Sequence, residues 1–183
     1  AEMELKAGDL REAERIYADA LEHMHNDLQN DPEDENTFAI YASILKASIN
    51  ASDSLDKLSK IEKDIYLLYD LDGIDTFGLD QVLIDCALRQ AEMAVVENKL
   101  SYAEGKYEQA LTLFNKELDE DPGNDGLFAR YVSVVEDVYE AGFHNLLIRE
   151  RDALDAEGIA YEELEVIFAK LPDNESSAPV HSM

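Results

Sequence analysis

The sequence contains little cysteine, proline or glycine. Cys86 is the one cysteine among 183 residues, so no disulfide can form within the chain and nothing marks it as a disulfide-stapled secreted domain. It lies in the apolar stretch 82–88, where a buried structural thiol is expected rather than a nucleophile. Four prolines and eight glycines leave long stretches without a helix breaker, which favours helices over a β fold with many turns. The expected fold class is all-α.

Positive charge is also scarce, because 15 lysines and arginines face 42 acidic residues and the formal net charge is −27. Binding a phosphate backbone needs clustered Lys and Arg, and no such cluster occurs, so we expect no nucleic-acid partner. Docking on anionic lipid is disfavoured for the same reason, whereas a basic protein segment or cations would be attracted. The acidity is typical of the solvated surface of a soluble acidic protein, and a salt-adapted source organism is another explanation.

Long apolar runs are absent as well. No stretch approaches the roughly 18 apolar residues of a membrane span, and the N-terminus lacks the apolar core of a signal peptide. We therefore expect no membrane insertion and a cytoplasmic location. The chain begins at Ala1, so a cleaved upstream signal or excision from a longer protein stays open.

Apolar residues instead recur at steps of three and four along almost the whole chain, which predicts amphipathic helices. Ser101 and Glu104 match a capping box, which predicts that a helix starts there. Residues 1–172 are predicted to form one domain, and residues 173–183 a flexible tail. The predicted helices span about 10–28, 34–49, 53–69, 78–99, 103–119, 125–140, 144–156 and 161–170.

An internal duplication organises these helices. Residues 30–43 align without gaps onto residues 120–133, at an offset of 90. Upstream of this stretch the first copy carries seven extra residues after Gly8, which lengthen a helix by about two turns and keep its buried face in phase. The duplicated blocks cover about 8–70 and 105–170.

Gly105, Tyr107, Ala110, Phe114 and Pro122 follow one another at a spacing that resembles the tetratricopeptide repeat (TPR) family. The resemblance implies that Gly105 makes a tight turn between helices and that Ala110 lets two helices approach closely. It also implies that Phe114 fills the gap between repeats and that Pro122 stops the helix. The expected architecture is an α-solenoid of antiparallel helix pairs, with about eight to nine helices.

The resemblance has departures and one rival. Glu117 and Val132 stand where the family has small residues, and residues 48–99 carry hardly any signature positions. A half-repeat family of RNA-processing scaffolds resembles residues 128–131 almost as well. Both families imply stacked antiparallel helix pairs.

The chemical motifs are weak. If Asp70 is taken as the first residue of a calcium-binding loop, Asp75 stands where the loop requires glycine and Gln81 where it requires a bidentate glutamate. The segment therefore does not fit a calcium loop, and a helix-terminating turn is expected. His23 and His25, two apart on one predicted helix, point in different directions and cannot grip one metal ion together. No phosphate loop or nucleophile elbow occurs. We expect no enzymatic activity, no metal and no cofactor.

The resemblance implies a scaffold for protein–protein interaction, in which the first helix of each pair lines a concave face that binds a peptide or helix of a partner. The lining is small and weakly charged and lacks the Lys and Asn residues that clamp a carboxylate, which favours an apolar or basic partner segment. The alternative is a structural subunit packed permanently in a larger assembly. The implied partner-binding residues are Asn36, Ala39, Ile40 and Ser43 in one repeat and Gly126, Ala129, Arg130 and Ser133 in another.

Overall fold

The computed structural model describes the backbone of residues 7–172, with side chains from residue 12 onward. The described chain contains eight helices and no strand, which confirms the all-α class. Every predicted helix is present, with boundaries within four residues of those expected. The helices are α1 (Ala7–Asn30), α2 (Glu35–Ala51), α3 (Leu55–Tyr66), α4 (Thr76–Val96), α5 (Leu100–Glu120), α6 (Asp125–Glu140), α7 (His144–Glu157) and α8 (Glu162–Phe168).

The duplicated segment builds the same turn twice. Asp34 caps α2 by accepting from the backbone of Thr37, and Asn124 caps α6 by accepting from the backbone of Leu127, 90 residues later. The two caps share a non-helical backbone, with ψ of 91° and 84°, so each satisfies amide donors that a helix start leaves unpaired. Three backbone N–H to carbonyl hydrogen bonds also recur at the same offset. In the first copy they run from Asp31 to Asp27 (2.9 Å), from Asp34 to Asp31 (3.3 Å) and from Phe38 to Asp34 (2.9 Å). In the second copy they run from Asp121 to Glu117 (2.9 Å), from Asn124 to Asp121 (3.2 Å) and from Phe128 to Asn124 (2.9 Å).

Three helices end on a residue with positive φ. Gly142 and Gly158 take this conformation after α6 and α7, where the missing Cβ removes the steric cost, and Asn98 takes it after α4. Each end satisfies two orphan carbonyls in the manner of a Schellman motif. In each motif one backbone N–H donates to the carbonyl five residues earlier: Lys99 to Ala94 (2.8 Å), Phe143 to Val138 (3.2 Å) and Ile159 to Leu154 (2.9 Å).

The start of α5 corrects two expectations. The reversal between α4 and α5 occurs at Asn98, so α5 already begins at Leu100. Ser101 therefore lies inside the first turn rather than at the cap, and Gly105 lies in the helix interior rather than in a turn. A Cβ added at Gly105 would meet no atom within 4 Å, so close packing does not require this glycine.

The described residues up to Leu113 and those from Phe114 onward form two compact units. In the first unit, α2 packs against α1, α3 and α4, and α3 packs against α4. Phe38 lies against Gly78, and Lys46 lies 4.0 Å from Asp85, so α2 and α4 run parallel. The largest fully buried side chains of this unit are Leu28, Tyr41, Leu45, Ile49, Leu58, Ile65, Leu68, Leu79, Leu83 and Ile84.

In the second unit, α6 packs against α7 and α8, and α7 packs against α8. Its core is partly aromatic: the Phe114 and Tyr131 rings lie 5.7 Å apart, and the Phe128 and Tyr161 rings 4.7 Å apart. The organisation of residues 1–172 as one domain stays a prediction. The predicted tail, 173–183, lies outside the described residues.

Candidate functional site

The four predicted partner-binding residues on α2 share one exposed strip. Asn36, Ala39, Ile40 and Ser43 are all exposed, and their spacing of three, one and three residues places them on one side of the helix. Ile40 is 51% exposed, so an aliphatic side chain faces solvent beside three small or polar ones. The α2 strip, as we call these four residues, thus offers one apolar contact within a low-relief surface.

The corresponding residues of α6 differ more in their exposure to solvent. Gly126, Ala129 and Ser133 are exposed, whereas Arg130 is only half exposed. The Arg130 guanidinium lies 5.6 Å from the centre of the buried Phe114 ring, a cation–π distance. Arg130 therefore supports the core of the second unit as well as facing solvent.

Residues of α4 border the α2 strip, and the sequence interpretation missed them. Lys46 continues the exposed side of α2 and lies 4.0 Å from Asp85 of α4. Phe77 lies eight residues before Asp85 on the same helix, about two turns away, and is 40% exposed. The segment 48–99 carries few family signature residues, so the family register gave no reason to select Phe77.

On another side of α2, a groove of about 590 Å³ separates α1 from α3. Its floor comes from α2, through Tyr41, Leu45 and Ser48, while α1 and α3 supply the walls. At 100° per residue, the floor positions lie about 150° around α2 from the strip, so the two surfaces face different directions. The apolar and aromatic wall residues are Tyr17, Leu21 and His25 of α1 and Ile61 of α3.

An ion pair bridges the two walls near one end of the groove. The Lys57 Nζ of α3 lies 2.7 Å from the Glu14 carboxylate of α1 and 2.8 Å from that of Asp53. Both Lys57 and Glu14 are substantially exposed, so the bridge contributes little stability and can open.

The groove floor carries unsatisfied polar groups. Tyr41 is 1% exposed, and burial raises its pKa, with a further increase from the Asp64 carboxylate. No hydrogen bond joins its hydroxyl to the part of the chain that the structure describes. The Ser48 Oγ is buried and likewise has no partner among the described residues. The Tyr41 hydroxyl keeps contact with the groove, so a ligand there can bond to it, whereas the enclosed Ser48 Oγ is a buried hydroxyl whose missing partner costs free energy.

A buried polar network holds α3, α4 and α5 together within the first unit. The Lys106 Nζ lies 2.7 Å from one Glu62 oxygen and 2.8 Å from the other, and both side chains are largely buried. Gln109 and Gln90 also donate to Glu62, at 3.0 and 3.2 Å. Burial raises the pKa of Glu62, but the bonds from Lys106, Gln109 and Gln90 and the Lys106 charge outweigh it and lower the pKa.

The second unit contains a smaller network around Tyr131. The Tyr131 hydroxyl donates to the Glu150 carboxylate, and the Asn115 amide donates to the same oxygen at 2.6 Å. Burial raises the pKa of Tyr131, and the Glu150 charge adds to the increase. All three residues have a structural role, because each satisfies a polar group of another.

Groups suited to metal binding do not assemble in the described chain, and its cysteine is buried. Residues 12–172 contain no group of three His, Cys, Asp or Glu side chains that could hold a metal ion. Burial raises the pKa of the Cys86 thiol to about 12, and the thiol is inaccessible. Gly73, in the turn suspected of resembling a calcium loop, has φ of +88° and ends the segment after α3. Within residues 7–172, no helix is both long and apolar enough to cross a bilayer.

Comparison with known proteins identifies no relative: no protein-family profile, curated protein or solved structure matches the chain.

Proposed function

We propose that this chain is a non-enzymatic scaffold of TPR-like helical-repeat type, which binds a peptide or helix of a partner protein. In this proposal the helix pairs stack as a solenoid, and the first helix of each pair lines the binding face. The observation that carries it is the α2 strip, where a half-exposed Ile40 stands among small and polar neighbours.

The packing inside each unit supports the solenoid. In stacked helix pairs, the first helix of one pair contacts the first helix of the next and runs parallel to it. The contact between α2 and α4, which are parallel, is of this kind, and α6 and α8 make the corresponding contact in the second unit. The recurrence of one turn geometry at an offset of 90 residues supports a repeated architecture as well.

The charge of the chain supports an apolar or basic partner segment. A net charge of −27 repels acidic segments and increases the encounter rate with basic ones. On the α2 strip itself, Ile40 offers an apolar contact and no carboxylate.

The experiment compares two charge-matched variants, Ile40→Glu and Ile16→Glu. Ile16 on α1 is 52% exposed, close to the 51% of Ile40, but lies outside the α2 strip. Each immobilised protein captures partners from a lysate of the source organism, and captured proteins are quantified by mass spectrometry. Removing one half-buried Ile contact is expected to weaken capture about five- to thirtyfold for Ile40→Glu and to leave it unchanged for Ile16→Glu.

A photo-crosslinking residue at Ser43 identifies the partner segment that lies on the strip, and this segment is expected to be basic or apolar. The proposal is wrong if Ile40→Glu retains every partner of the wild type. Equal losses in both variants would also contradict it, because added negative charge alone would then account for them.

The alternative function, a subunit packed permanently in a larger assembly, rests on a different surface. At the α4–α5 turn, Val96 is 87% exposed and Leu100 is 50% exposed, so the turn presents two apolar side chains close together in the chain. Such a surface is typical of contact with another protein. Light scattering after size-exclusion chromatography separates the functions, since a stable monomer at micromolar concentration contradicts a permanent subunit.

A further inference from the structure

The tyrosine on the floor of the groove between α1, α2 and α3 has a hydrogen-bonded counterpart in the second unit. Tyr41 corresponds to Tyr131 in the duplicated segment. The Tyr131 hydroxyl donates to Glu150, and the Asn115 amide donates to the same carboxylate oxygen. In the first unit the same tyrosine position borders an open groove of about 590 Å³. The volume is within the 300–1,000 Å³ that is common for ligand sites.

The floor of the groove offers a tyrosine hydroxyl that no described residue occupies. Tyr41 is almost completely buried, yet its hydroxyl has no hydrogen bond to the described residues. The Ser48 Oγ, seven residues later on the same side of α2, is also buried and unpaired. A peptide supplies backbone carbonyl and amide groups that can bond to the Tyr41 hydroxyl.

The charge of the groove selects the side chains of that peptide. Glu14, Asp19, Glu22 and Asp64 line it, against Lys57 and Lys60. Glu14 and Asp53 neutralise Lys57, and Asp19 pairs with Arg15 at 2.9 Å. Glu22 and Asp64 have no salt bridge among the described residues, and neither does Lys60, so the unpaired charge that lines the groove is negative by one and favours a cation.

Aromatic rings lie beside these carboxylates. The Tyr41 and His25 rings are 6.4 Å apart, and Tyr17 lines the wall next to them. A tyrosine face attracts a guanidinium or ammonium group, and the attraction increases when water is excluded. Leu21, Leu45 and Ile61 give the rest of the lining an apolar character.

We propose that this groove binds a basic segment of a partner protein, in which an Arg or Lys side chain lies between Glu22, Asp64 and the tyrosines. Apolar side chains next to that residue pack on Leu21, Leu45 and Ile61. The site is independent of the α2 strip, which faces another direction, so either surface can bind without the other.

The probe is a fluorescein-labelled twelve-residue peptide with Leu and Arg at helical spacing, together with a matched peptide that has Glu in place of Arg. Fluorescence anisotropy measures both against the full chain at fixed salt. The Arg peptide is expected to bind and the Glu peptide not to bind. Neutralising the two carboxylates in Glu22→Gln/Asp64→Asn is expected to weaken binding about two- to thirtyfold, from two charge contacts.

Three further variants locate the binding. Ala18→Trp fills the groove from an exposed position of α1 and is expected to reduce affinity more than tenfold. Asp72→Asn/Glu92→Gln removes the same charge from exposed positions outside the groove and is expected to change affinity less than twofold. Ile40→Glu, the variant that tests the α2 strip, is expected to leave binding of the Arg peptide unchanged. Circular dichroism checks that each variant is folded.

The inference is overturned if the two peptides bind equally, if neither binds, or if Ala18→Trp retains full affinity. It is also overturned if wild type self-associates and Ala18→Trp does not, because a second copy of this chain would then be the occupant. The two proposals can fail separately. Partner capture tests the α2 strip and depends on Ile40, whereas peptide affinity tests the groove and depends on Glu22, Asp64 and Ala18.

Discussion

Two glycines in helices of the first unit should respond in opposite ways to the same substitution. Gly78 lies near the start of α4, and a Cβ there would come within 2.4 Å of Phe38 Cε1 and 2.6 Å of Asp75 Oδ2. Gly105 lies inside α5, where a Cβ would meet nothing within 4 Å. Neither residue has positive φ, so backbone strain does not separate them.

The expected magnitudes follow from these distances. Gly105→Ala should raise the free energy of unfolding by about 0.5–1 kcal/mol, because alanine restricts the unfolded chain and favours the helix. Gly78→Ala gains the same term but forces the buried Phe38 ring to move, and overpacking of a core costs about 1–3 kcal/mol. It also displaces Asp75, whose carboxylate caps α4, with a loss of about 1 kcal/mol. The two variants should therefore differ by about 2–4 kcal/mol.

The measurement is urea denaturation at 25 °C, followed by circular dichroism. With a slope of about 2 kcal/mol per molar urea, the midpoints should differ by about 1 M or more. Both glycines lie in the first unit, so the comparison concerns one transition even if the units unfold separately. In a Phe38→Leu background the cost of Gly78→Ala should decrease, since the clashing ring atoms are gone. Equal stabilisation by both alanines would refute the close approach of α2 and α4.

Three other predictions concern the thiol, the caps and the buried ion pair. Cys86 should react with a disulfide reagent only as fast as the protein opens, because its thiol is buried and its pKa is raised to about 12; rapid reaction in native buffer would contradict this. Asp34→Ala and Asn124→Ala should each cost about 1 kcal/mol, since their caps are equivalent, and markedly unequal costs in urea denaturation would count against equivalent turns. The folded pKa of Glu62 lies below its ordinary value of 4.5, so the bond to Lys106 stabilises above that pH and is lost as pH falls through the folded pKa. Urea midpoints at about pH 6 and pH 3 should thus fall less in Glu62→Gln than in wild type, and equal falls would contradict the assignment.

The helices were predictable because their signals are local. Apolar residues at steps of three and four define each buried face, and capping residues such as Asp34 and Asn124 satisfy donors only three residues away. The same locality explains why residues 30–43 and 120–133 form equivalent turns. An offset visible in the sequence was enough to predict that they would correspond.

The start of α5 was mispredicted because the capping-box pattern of Ser101 and Glu104 placed the helix start a few residues late, and the family resemblance placed Gly105 in a turn. The reversal occurs at Asn98, in the short polar segment between Val96 and Leu100, and asparagine tolerates the left-handed conformation better than other residues except glycine. Gly105 is helical.

The groove could not be predicted, because it depends on how far apart two helices lie rather than on either helix alone. The wall residues of α1 and of α3 recur at ordinary helical spacing, and this spacing is visible in the sequence. The same spacing would also fit two helices that pack in full contact, so it does not predict a groove. Large lining residues such as Tyr41 and Ile61 read as core positions from sequence.

The duplication explains why the two units differ at this point despite equivalent turns. Glu150, which accepts the Tyr131 hydroxyl, has Lys60 at the position 90 residues earlier. Lysine has no acceptor, so it cannot satisfy Tyr41 in the way that Glu150 satisfies Tyr131. An exchange of charge on the neighbouring helix thus removes the acceptor that Tyr131 has in the second unit, while the turn and the tyrosine remain. The residues that preserve the repeat are therefore not the residues that distinguish its two copies, and a binding function of the groove would depend on the latter.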